Sequence, residues 1–507
     1  MTEKTVELAG RLRTALTAAD YTYDGVAELL GPVPHAALSR NETMPGLRAT
    51  SGGTPIETLT RLWLLQATVS AEDAERALPG LVDELCSEGI LERSISEVAA
   101  RVDLRPYGTD TAGPAGNLWV TSDLTPGLDG SPNRVGADHV LGISSAATSL
   151  AQLTIRSPVD RALDLGTGCG VQSLHLATHA RQVVATDVNT RALWLTRLNA
   201  ALNEISTSSI TGGGSSITGQ IDVREGSFFE PVAGEKFDLI VTNPPFVISP
   251  ATGERLVYRD SGLPGDRVVE HIVRTAPKHL NEGGWCQILA NWVIPKDQPW
   301  EDRMTGWLDG SGCDAWVVQR EVVDLPSYVE LWLKDAGLHG SADYHRRYDT
   351  WLSWFEDNGV EAVGFGWINL RATGGSARRL EEWPYEVEQP LGVETVAWSR
   401  RTTTLARLSD EQLLNARPAT RIDVRQETLG APGAEDPSQI VLRQQVGMRR
   451  ARQVDTVEAA LVGACDGELS IGQILAALEQ ILGETNLAGS RLDAVRELVA
   501  EGWIEIS

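Results

Sequence analysis

Three short motifs between Arg161 and Pro250 constrain the fold of this 507-residue chain more than any other feature. The first, ALDLGTGCG, is an apolar run that breaks into a glycine turn, and the second, VVATD, is an apolar run closed by an acid. The third, DLIVTNPPF, is an apolar run closed by Asn-Pro-Pro-Phe. Short apolar runs that alternate with helical segments predict a parallel sheet covered by helices. We therefore expect an α/β domain that carries these turns at the ends of its strands.

The first motif predicts a ligand site at a glycine turn. Its glycines are Gly166, Gly168 and Gly170, and glycine lets the backbone turn sharply and approach a ligand closely. The spacing G-x-G-x-G, with Asp164 inside the strand end, differs from the G-x-G-x-x-G of dinucleotide folds. An acid at this point suits a ligand that carries an ammonium group. Asp187, which closes the second motif, can accept hydrogen bonds from two ribose hydroxyls.

The third motif predicts a site for a planar amino group. Asn243-Pro244-Pro245 is a stiff turn that continues neither a helix nor a strand. It leaves the Asn243 side-chain oxygen and the Pro244 carbonyl as acceptors, with the ring of Phe246 beside them. Two acceptors and a ring can hold a planar amino group and direct its lone pair towards an electrophile. An isolated triplet would more simply be a loop, so the order of the three motifs carries this interpretation.

With these motifs the chain resembles, from about Asp138 to Gly366, the class I S-adenosylmethionine-dependent methyltransferases that carry an Asn-Pro-Pro-aromatic motif. This group includes the HemK-type glutamine-N5 methyltransferases of release factors and the small-domain (MTS) guanine-N2 methyltransferases of ribosomal RNA. The runs GSFFEPV and NPPFVISP are closest to the HemK-type pattern. Ser227 replaces the usual acid, Phe246 the usual tyrosine, and Val247 the histidine that is frequent in the RNA enzymes. The resemblance therefore leaves the substrate open.

The resemblance implies S-adenosyl-L-methionine as the cofactor and a role for each motif residue. Asp164 is expected near the methionine ammonium and Asp187 at the ribose. Val188 and Phe228 are expected to flank the adenine. The other expected cofactor contacts are Gly166, Thr167, Gly168, Gly170, Ser227 and Asn243. The expected catalytic residues, which orient the acceptor nitrogen, are Asn243, Pro244, Pro245 and Phe246.

The predicted elements divide the chain into five regions. The central one, 157–375, is predicted to be a Rossmann-like class I methyltransferase core with a seven-stranded, mostly parallel sheet. A helical, winged-helix-like domain (1–105) and a connector to the cofactor site (106–156) precede it. A β-rich linker region (376–445) and a second winged-helix-like domain (446–507) follow it. The segments VDELCSEGILERS and VRELVAEGWIEIS, one from each terminal domain, align without a gap and indicate an internal duplication.

The net charge of −25 constrains the partners of the chain. Non-specific nucleic-acid binding requires Lys and Arg to neutralise phosphates, so a macromolecular protein substrate is favoured over RNA. The first residues lack the apolar core of a signal peptide, and no apolar run has membrane-spanning length. We therefore expect a cytoplasmic enzyme without membrane contact. The five scattered cysteines predict neither a disulfide framework nor a metal site.

Several alternatives stay open at this level. A guanine-N2 or adenine-N6 base of a nucleic acid is the second candidate acceptor, and the basic run Met448–Arg452 is compatible with RNA. A non-catalytic cofactor-binding scaffold is a candidate from another class. Ser144, Ser145 and Thr148 either line the cofactor site or simply begin a helix. Residues with a simpler packing interpretation are Cys169, His271, His279, Trp332, Trp351 and Trp354.

Overall fold

The computed structural model describes residues 3–108, 117–131, 135–136, 138–206, 219–250, 263–432 and 438–506. The chain separates into two compact units, Met1–Ala151 with Ser157–Trp383, and Gln152–Arg156 with Pro384–Ser507. Most of the low-complexity segment 206–219, which the sequence predicts to be an exposed loop, lies outside the described residues. Across the described part of the chain, no helix is long and apolar enough to cross a membrane.

The first unit begins with a helical module. Its helices are α1 (Glu3–Ala18), α2 (Tyr23–Leu30), α3 (Pro32–Leu38), α4 (Met44–Ala49), α5 (Pro55–Leu59), α6 (Ala71–Ala77) and α7 (Val82–Ser87). Its strands are β1 (Val69–Ser70), β2 (Leu91–Arg93) and β3 (Glu97–Ala100), in the order β1-β3-β2, and the pair β4 (Asp103–Gly108) and β5 (Asn117–Ser122). Ser70 caps α6, because its side chain accepts a hydrogen bond from the Asp73 amide.

A large mixed sheet forms the centre of the first unit. Its described strands are β6 (Val159–Leu165), β7 (Ala180–Asp187), β8 (Gln220–Glu225), β9 (Phe237–Thr242), β10 (Leu280–Pro295), β11 (Cys313–Asp324), β12 (Val360–Ala372) and β13 (Arg378–Glu382). Their order is β13-β11-β12-β10-β9-β6-β7-β8. Strand β12 runs antiparallel to β10 and β11, and the other neighbours are parallel. The predicted α/β class is confirmed, but the prediction of seven strands missed β13, which extends the sheet beyond β11.

The sheet is accompanied by further helices. They are α8 (Ser145–Leu153), α9 (Val171–Leu176), α10 (Thr190–Leu202), α11 (Arg267–Thr275), α12 (Trp300–Leu308), α13 (Leu325–Asp335) and α14 (Tyr344–Asp357). Helices α13 and α14 form an insertion between β11 and the antiparallel strand β12. Trp332 and Trp351 are buried there with Tyr328 and Phe355, so the packing interpretation of these two tryptophans is confirmed.

The helical module and the sheet share one hydrophobic core. Leu198 and Leu202 of α10 are buried in the same cluster as Leu12 and Trp63 of the module. Two asparagines of α10 add hydrogen bonds to the backbone of β5. The Asn199 amide donates to Thr121 O and accepts from Thr121 N, and the Asn203 amide does the same with Trp119. The proposed boundary near residue 105 therefore divides segments that pack together.

The second unit contains more helix than expected. Its helices are α15 (Gly392–Arg407), α16 (Asp410–Asn415), α17 (Thr456–Ala464), α18 (Ile471–Leu482), α19 (Leu487–Ser490) and α20 (Leu492–Ala500). Its strands are β14 (Pro418–Thr420), β15 (Val424–Leu429), β16 (Gln439–Gln444), β17 (Ala451–Val454) and β18 (Ile504–Ile506). Strands β15 and β16 pair antiparallel. The region 376–445, predicted to be β-rich, contains β14, β15 and β16, but it also contains α15 and α16 and gives β13 to the central sheet.

The two aligned segments have the same local structure. In one, α7 ends before Gly89 (φ +72°) and β2 follows; in the other, α20 ends before Gly502 (φ +77°) and β18 follows. The amide after each glycine donates to a carbonyl in the last turn, from Ile90 to Leu85 at 2.9 Å and from Trp503 to Leu498 at 2.8 Å. A left-handed residue at this point favours glycine. The aligned sequences therefore encode one helix–turn–strand corner twice.

Candidate cofactor and acceptor site

The three motifs meet at one edge of the central sheet. Strands β9, β6 and β7 are neighbours and parallel, so the turns that follow them lie side by side. The Thr242 hydroxyl donates to Leu165 O at 2.7 Å, and the amides of Gly166 and Thr167 donate to Thr186 O at 2.9 Å. The strand order reverses at β6, and ligands of open α/β sheets bind at such a point.

The glycine turn faces open space. Gly166, Gly168 and Gly170 have φ of +77°, +56° and +87°, a region that favours glycine. A Cβ at Gly166 or Gly168 would meet no atom within 4 Å, whereas one at Gly170 would lie 3.1 Å from Thr196. Free space is therefore present at the first two glycines, where the cofactor is expected. Cys169 is buried, which raises the pKa of its thiol to about 12 and agrees with a packing role.

The buried carboxylate of Asp164 stabilises the glycine turn. Its Oδ2 accepts hydrogen bonds from the hydroxyls of Thr167 and Ser173, both at 2.6 Å. Only 1% of Asp164 is exposed, and burial raises the pKa of its carboxyl to about 6 despite these hydrogen bonds. The side chain of Thr167, an expected cofactor contact, is thus used within the protein. Ser173 was missed by the sequence analysis, because a serine inside a predicted helix carries no signal of this contact.

Asp187 retains acceptor capacity. Its Oδ2 accepts from the Gly168 amide at 3.0 Å and its Oδ1 from the Asn189 amide at 2.9 Å. Burial raises the pKa of this carboxyl above its ordinary value. A carboxylate offers about four acceptor positions, so roughly two remain for a diol. The adjacent Val188 side chain is 66% exposed, which leaves an apolar surface beside the carboxylate.

The segment after β8 lies next to Asp187. The Gly226 amide donates to the Asp187 carbonyl at 3.0 Å, which brings the following Ser227 and Phe228 towards the site. Phe228 has a left-handed backbone (φ +47°), and its ring meets that of His271 edge-on at 4.8 Å between centroids. His271 therefore has a packing contact, as expected.

Hydrogen bonds attach the connector (106–156) to α9 and α10, the helices that follow the first two motifs. The Asn189 side chain donates to Asp138 O at 2.8 Å, and the Gln172 side chain donates to Ala147 O at 2.7 Å. Asp123 accepts from the Val140 amide at 2.8 Å and from Arg191 Nε at 2.6 Å. Asp123 and Gln172 carry no recognisable pattern in the sequence, because their partners are backbone groups or distant residues. These contacts hold the connector against α9 and α10.

The candidate liners of α8 make contacts typical of a helix start. The Ser144 hydroxyl accepts from the Ala147 amide at 3.2 Å, and the Thr148 hydroxyl donates to Ser144 O at 3.1 Å. These bonds favour the helix-start interpretation of Ser144 and Thr148. Ser145 is the first residue of α8 and is exposed.

The Asn-Pro-Pro-Phe turn presents an acceptor without a donor. Asn243 follows β9 directly, and its Oδ1 is buried without a hydrogen-bond partner among the described residues. Such an atom typically costs about 1–3 kcal/mol unless a ligand satisfies it. Pro244 is buried behind it, Pro245 is half-buried, and the Phe246 ring lies 6.2 Å from that of Trp332. The acceptor predicted from the sequence therefore lies beside the glycine turn, because β9 and β6 are neighbouring parallel strands, and the ring of Phe246 lies against α13.

The fold and these turns together define the class: the central domain resembles the class I methyltransferases of the HemK and small-domain types. Residues 143–306 match the family model described as the methyltransferase small domain. Residues 18–101 match a model described as a domain of unknown function (DUF7059).

The chain is also similar to curated proteins that are named as methyltransferases. A release factor glutamine methyltransferase of Xylella fastidiosa is 32% identical over 144 residues, which are 26% of this chain and 47% of that protein. A ribosomal protein uL3 glutamine methyltransferase of Bradyrhizobium diazoefficiens is 28% identical, over 33% of this chain and 52% of that protein. A ribosomal RNA small subunit methyltransferase C of Salmonella arizonae is 31% identical, over 27% and 32%. The chain spans about half the length, or less, of these relatives.

We predict that affinity for S-adenosylmethionine falls below pH 6. The pKa of Asp164 in the free protein is about 6, so its negative charge is present above that pH and is lost as pH falls through it. If this charge acts on the methionine ammonium, affinity should decline by up to about tenfold per pH unit below pH 6. Calorimetry at pH 5 and pH 7.5 measures the change, with Asp164→Asn as the control, whose affinity should be lower and independent of this titration. Equal affinities of the parent protein at both pH values would contradict a role of Asp164 towards the ammonium.

Proposed function

We propose that this chain transfers a methyl group from S-adenosyl-L-methionine to a planar amide or amino nitrogen. We propose further that the acceptor is a glutamine-type side chain of a translation-related protein. The observation that carries the proposal is the buried Oδ1 of Asn243, which has no hydrogen-bond partner among the residues described and lies beside a glycine turn that faces open space. An N–H group of the acceptor would satisfy this oxygen.

The residues present fit the cofactor. The turn Gly166–Gly170 takes its carboxylate end, because Gly166 and Gly168 leave free space in which a ligand can approach the backbone closely. Asp187 accepts hydrogen bonds from the ribose, with Ser227 nearby, and Val188 and Phe228 flank the adenine. The cofactor supplies an electrophilic sulfonium methyl, and the protein supplies alignment and hydrogen bonding.

The acceptor nitrogen is activated by its hydrogen bonds. An amide nitrogen is a poor nucleophile because its lone pair is delocalised into the carbonyl. Asn243 Oδ1 and the Pro244 carbonyl draw on its two protons and return electron density to nitrogen. The Pro245 ring stiffens the turn, and Phe246 stacks on the amide plane. No strong base is required for this activation.

Charge and similarity support a protein acceptor. A chain with a net charge of −25 repels phosphates over much of its surface, and the first relatives by similarity are named for glutamine methylation. A ribosomal RNA base is the second candidate, because one relative is named as a ribosomal RNA methyltransferase. We also propose that residues 1–105 and 446–507 form winged-helix-like modules. We propose a cytoplasmic location, because translation takes place there.

Transfer from labelled S-adenosylmethionine tests the proposal. Purified release factor, ribosomal protein uL3 and small-subunit ribosomal RNA are offered separately, and the product is mapped by mass spectrometry. We expect one methyl group on a glutamine side chain. Label on a purine amino group would favour the RNA alternative. Cofactor binding without transfer to any acceptor would favour the non-catalytic scaffold.

A further inference from the structure

The Asn-Pro-Pro-Phe turn needs an external support. Proline has no amide hydrogen, so Pro244 and Pro245 cannot anchor the turn through backbone donors. The chain beyond the turn has no regular secondary structure up to residue 250. It nevertheless enters a hydrophobic cluster, where Val247 is 2% and Ile248 0% exposed. What holds these residues also sets the direction in which Asn243 and Phe246 point.

Tyr328 of the insertion provides that support. Its hydroxyl accepts a hydrogen bond from the Ile248 amide at 2.8 Å, across 80 positions of sequence. The side chain is fully buried, and its ring contacts those of Phe355 and Phe365 at centroid distances of 6.0 and 5.9 Å. Burial raises the pKa of Tyr328 above its ordinary value, so the hydroxyl is neutral at physiological pH. The ring cluster therefore fixes the position of the oxygen.

One face of α13 contacts the turn twice. Trp332 lies four residues after Tyr328 on the same helix, so the two side chains share a face. The Trp332 ring contacts the Phe246 ring at 6.2 Å and the Tyr328 ring at 6.1 Å. The start of this helix is fixed by Asp324, whose side chain accepts from the Ser327 amide at 2.9 Å. The insertion thus supports both the ring of the turn and the backbone behind it.

We propose that Tyr328 is a positioning residue, whose hydroxyl holds the backbone at Ile248 so that Asn243 and Phe246 face the acceptor nitrogen. This inference rests on the proposed function and adds a role for the insertion between β11 and β12. The effect acts on alignment in the transition state, so it concerns turnover and leaves cofactor binding unchanged.

Hydrogen exchange tests the contact without reference to activity. In Tyr328→Phe the ring remains and only the hydroxyl is removed, so the Ile248 amide should exchange about tenfold faster, as expected for one lost hydrogen bond. Tyr21→Phe is the matched control. Tyr21 is equally buried and its hydroxyl donates to Leu104 O at 2.8 Å, in the helical module. The control should leave the exchange of Ile248 unchanged.

Transfer kinetics test the positioning role. For Tyr328→Phe we expect kcat to be about tenfold lower and the KM for S-adenosylmethionine to be unchanged. We expect Tyr328→Phe and Tyr21→Phe to have similar melting temperatures. Unchanged exchange at Ile248, or a kcat equal to that of Tyr21→Phe, would overturn the proposal. A parent protein that methylates none of the three acceptors overturns the proposed function instead, and hydrogen exchange then decides on the Ile248 contact alone.

Discussion

Asn243→Ala is expected to lose methyl transfer while keeping the cofactor. The mutation removes a side-chain oxygen that is buried at the end of β9 without a hydrogen-bond partner in the part of the chain that the structure describes. Alignment and electron donation at nitrogen act on the transition state more than on the ground state. Loss of one such interaction costs about 10²–10³ in rate, by analogy with donors of an oxyanion hole. Single-turnover transfer from labelled cofactor measures the rate, and calorimetry measures cofactor affinity.

Two further variants complete this experiment. Asn243→Asp keeps an acceptor oxygen and adds charge, so its loss should be milder. Asn281→Ala is the matched control. Asn281 lies at the start of β10, at the amino-terminal ends of the parallel strands, where its side-chain amide donates to Asp238 at 2.8 Å. The control should transfer as fast as the parent protein. Were Asn243→Ala equally fast, Asn-Pro-Pro-Phe would be only a turn and the scaffold alternative would be preferred.

Asp187→Ala is expected to weaken binding of S-adenosylmethionine by about 10- to 150-fold. The ribose hydroxyls would lose a charged acceptor, and such a hydrogen bond contributes about 1.5–3 kcal/mol. The same mutation removes the acceptor of the Gly168 and Asn189 amides, so the glycine turn would also be held less firmly. Calorimetry with cofactor alone gives the affinity directly and needs no acceptor.

Asp160→Ala separates this effect from the general loss of a carboxylate. Asp160 lies near the start of β6, at the opposite edge of the sheet, and its exposed side chain pairs with Arg181. Its removal should leave the affinity for the cofactor unchanged. If Asp187→Ala and Asp160→Ala bound equally well, the assignment of Asp187 to the ribose would be wrong.

The candidate site could be predicted because its residues end neighbouring strands of the sheet. Parallel strands bring their carboxyl ends to one edge, so Gly166, Asp187 and Asn243 had to meet once the three apolar runs were recognised as strands. Tyr328 could not be found in this way. Its partner is the Ile248 amide, and a side chain that binds a backbone group 80 positions away leaves no local pattern.

The errors in the fold have the same physical origin. The sequence of β13, RRLEE, is charged and gains strand structure by pairing with β11. Helix α15 is rich in valine and threonine, which favour strands when considered alone. Burial of Thr395 and Trp398 on one face of the helix outweighs that preference. The apolar sequence that follows the glycine turn predicts a helix as far as Ala180, but α9 ends at Leu176 and β7 begins at Ala180.

The core shared by α1, β5 and α10 also restricts inheritance. Helix α10 starts three residues after Asp187, and it carries the leucines and asparagines to which the helical module binds. A recombination event that exchanged residues 1–105 for another module would remove the α1 side chains that pack on Leu198 and Leu202. It would therefore disturb α10, the helix that begins three residues after Asp187. The helical module therefore cannot be exchanged independently of α10. Descendants of this chain should keep it together with α10 or change both through compensating substitutions.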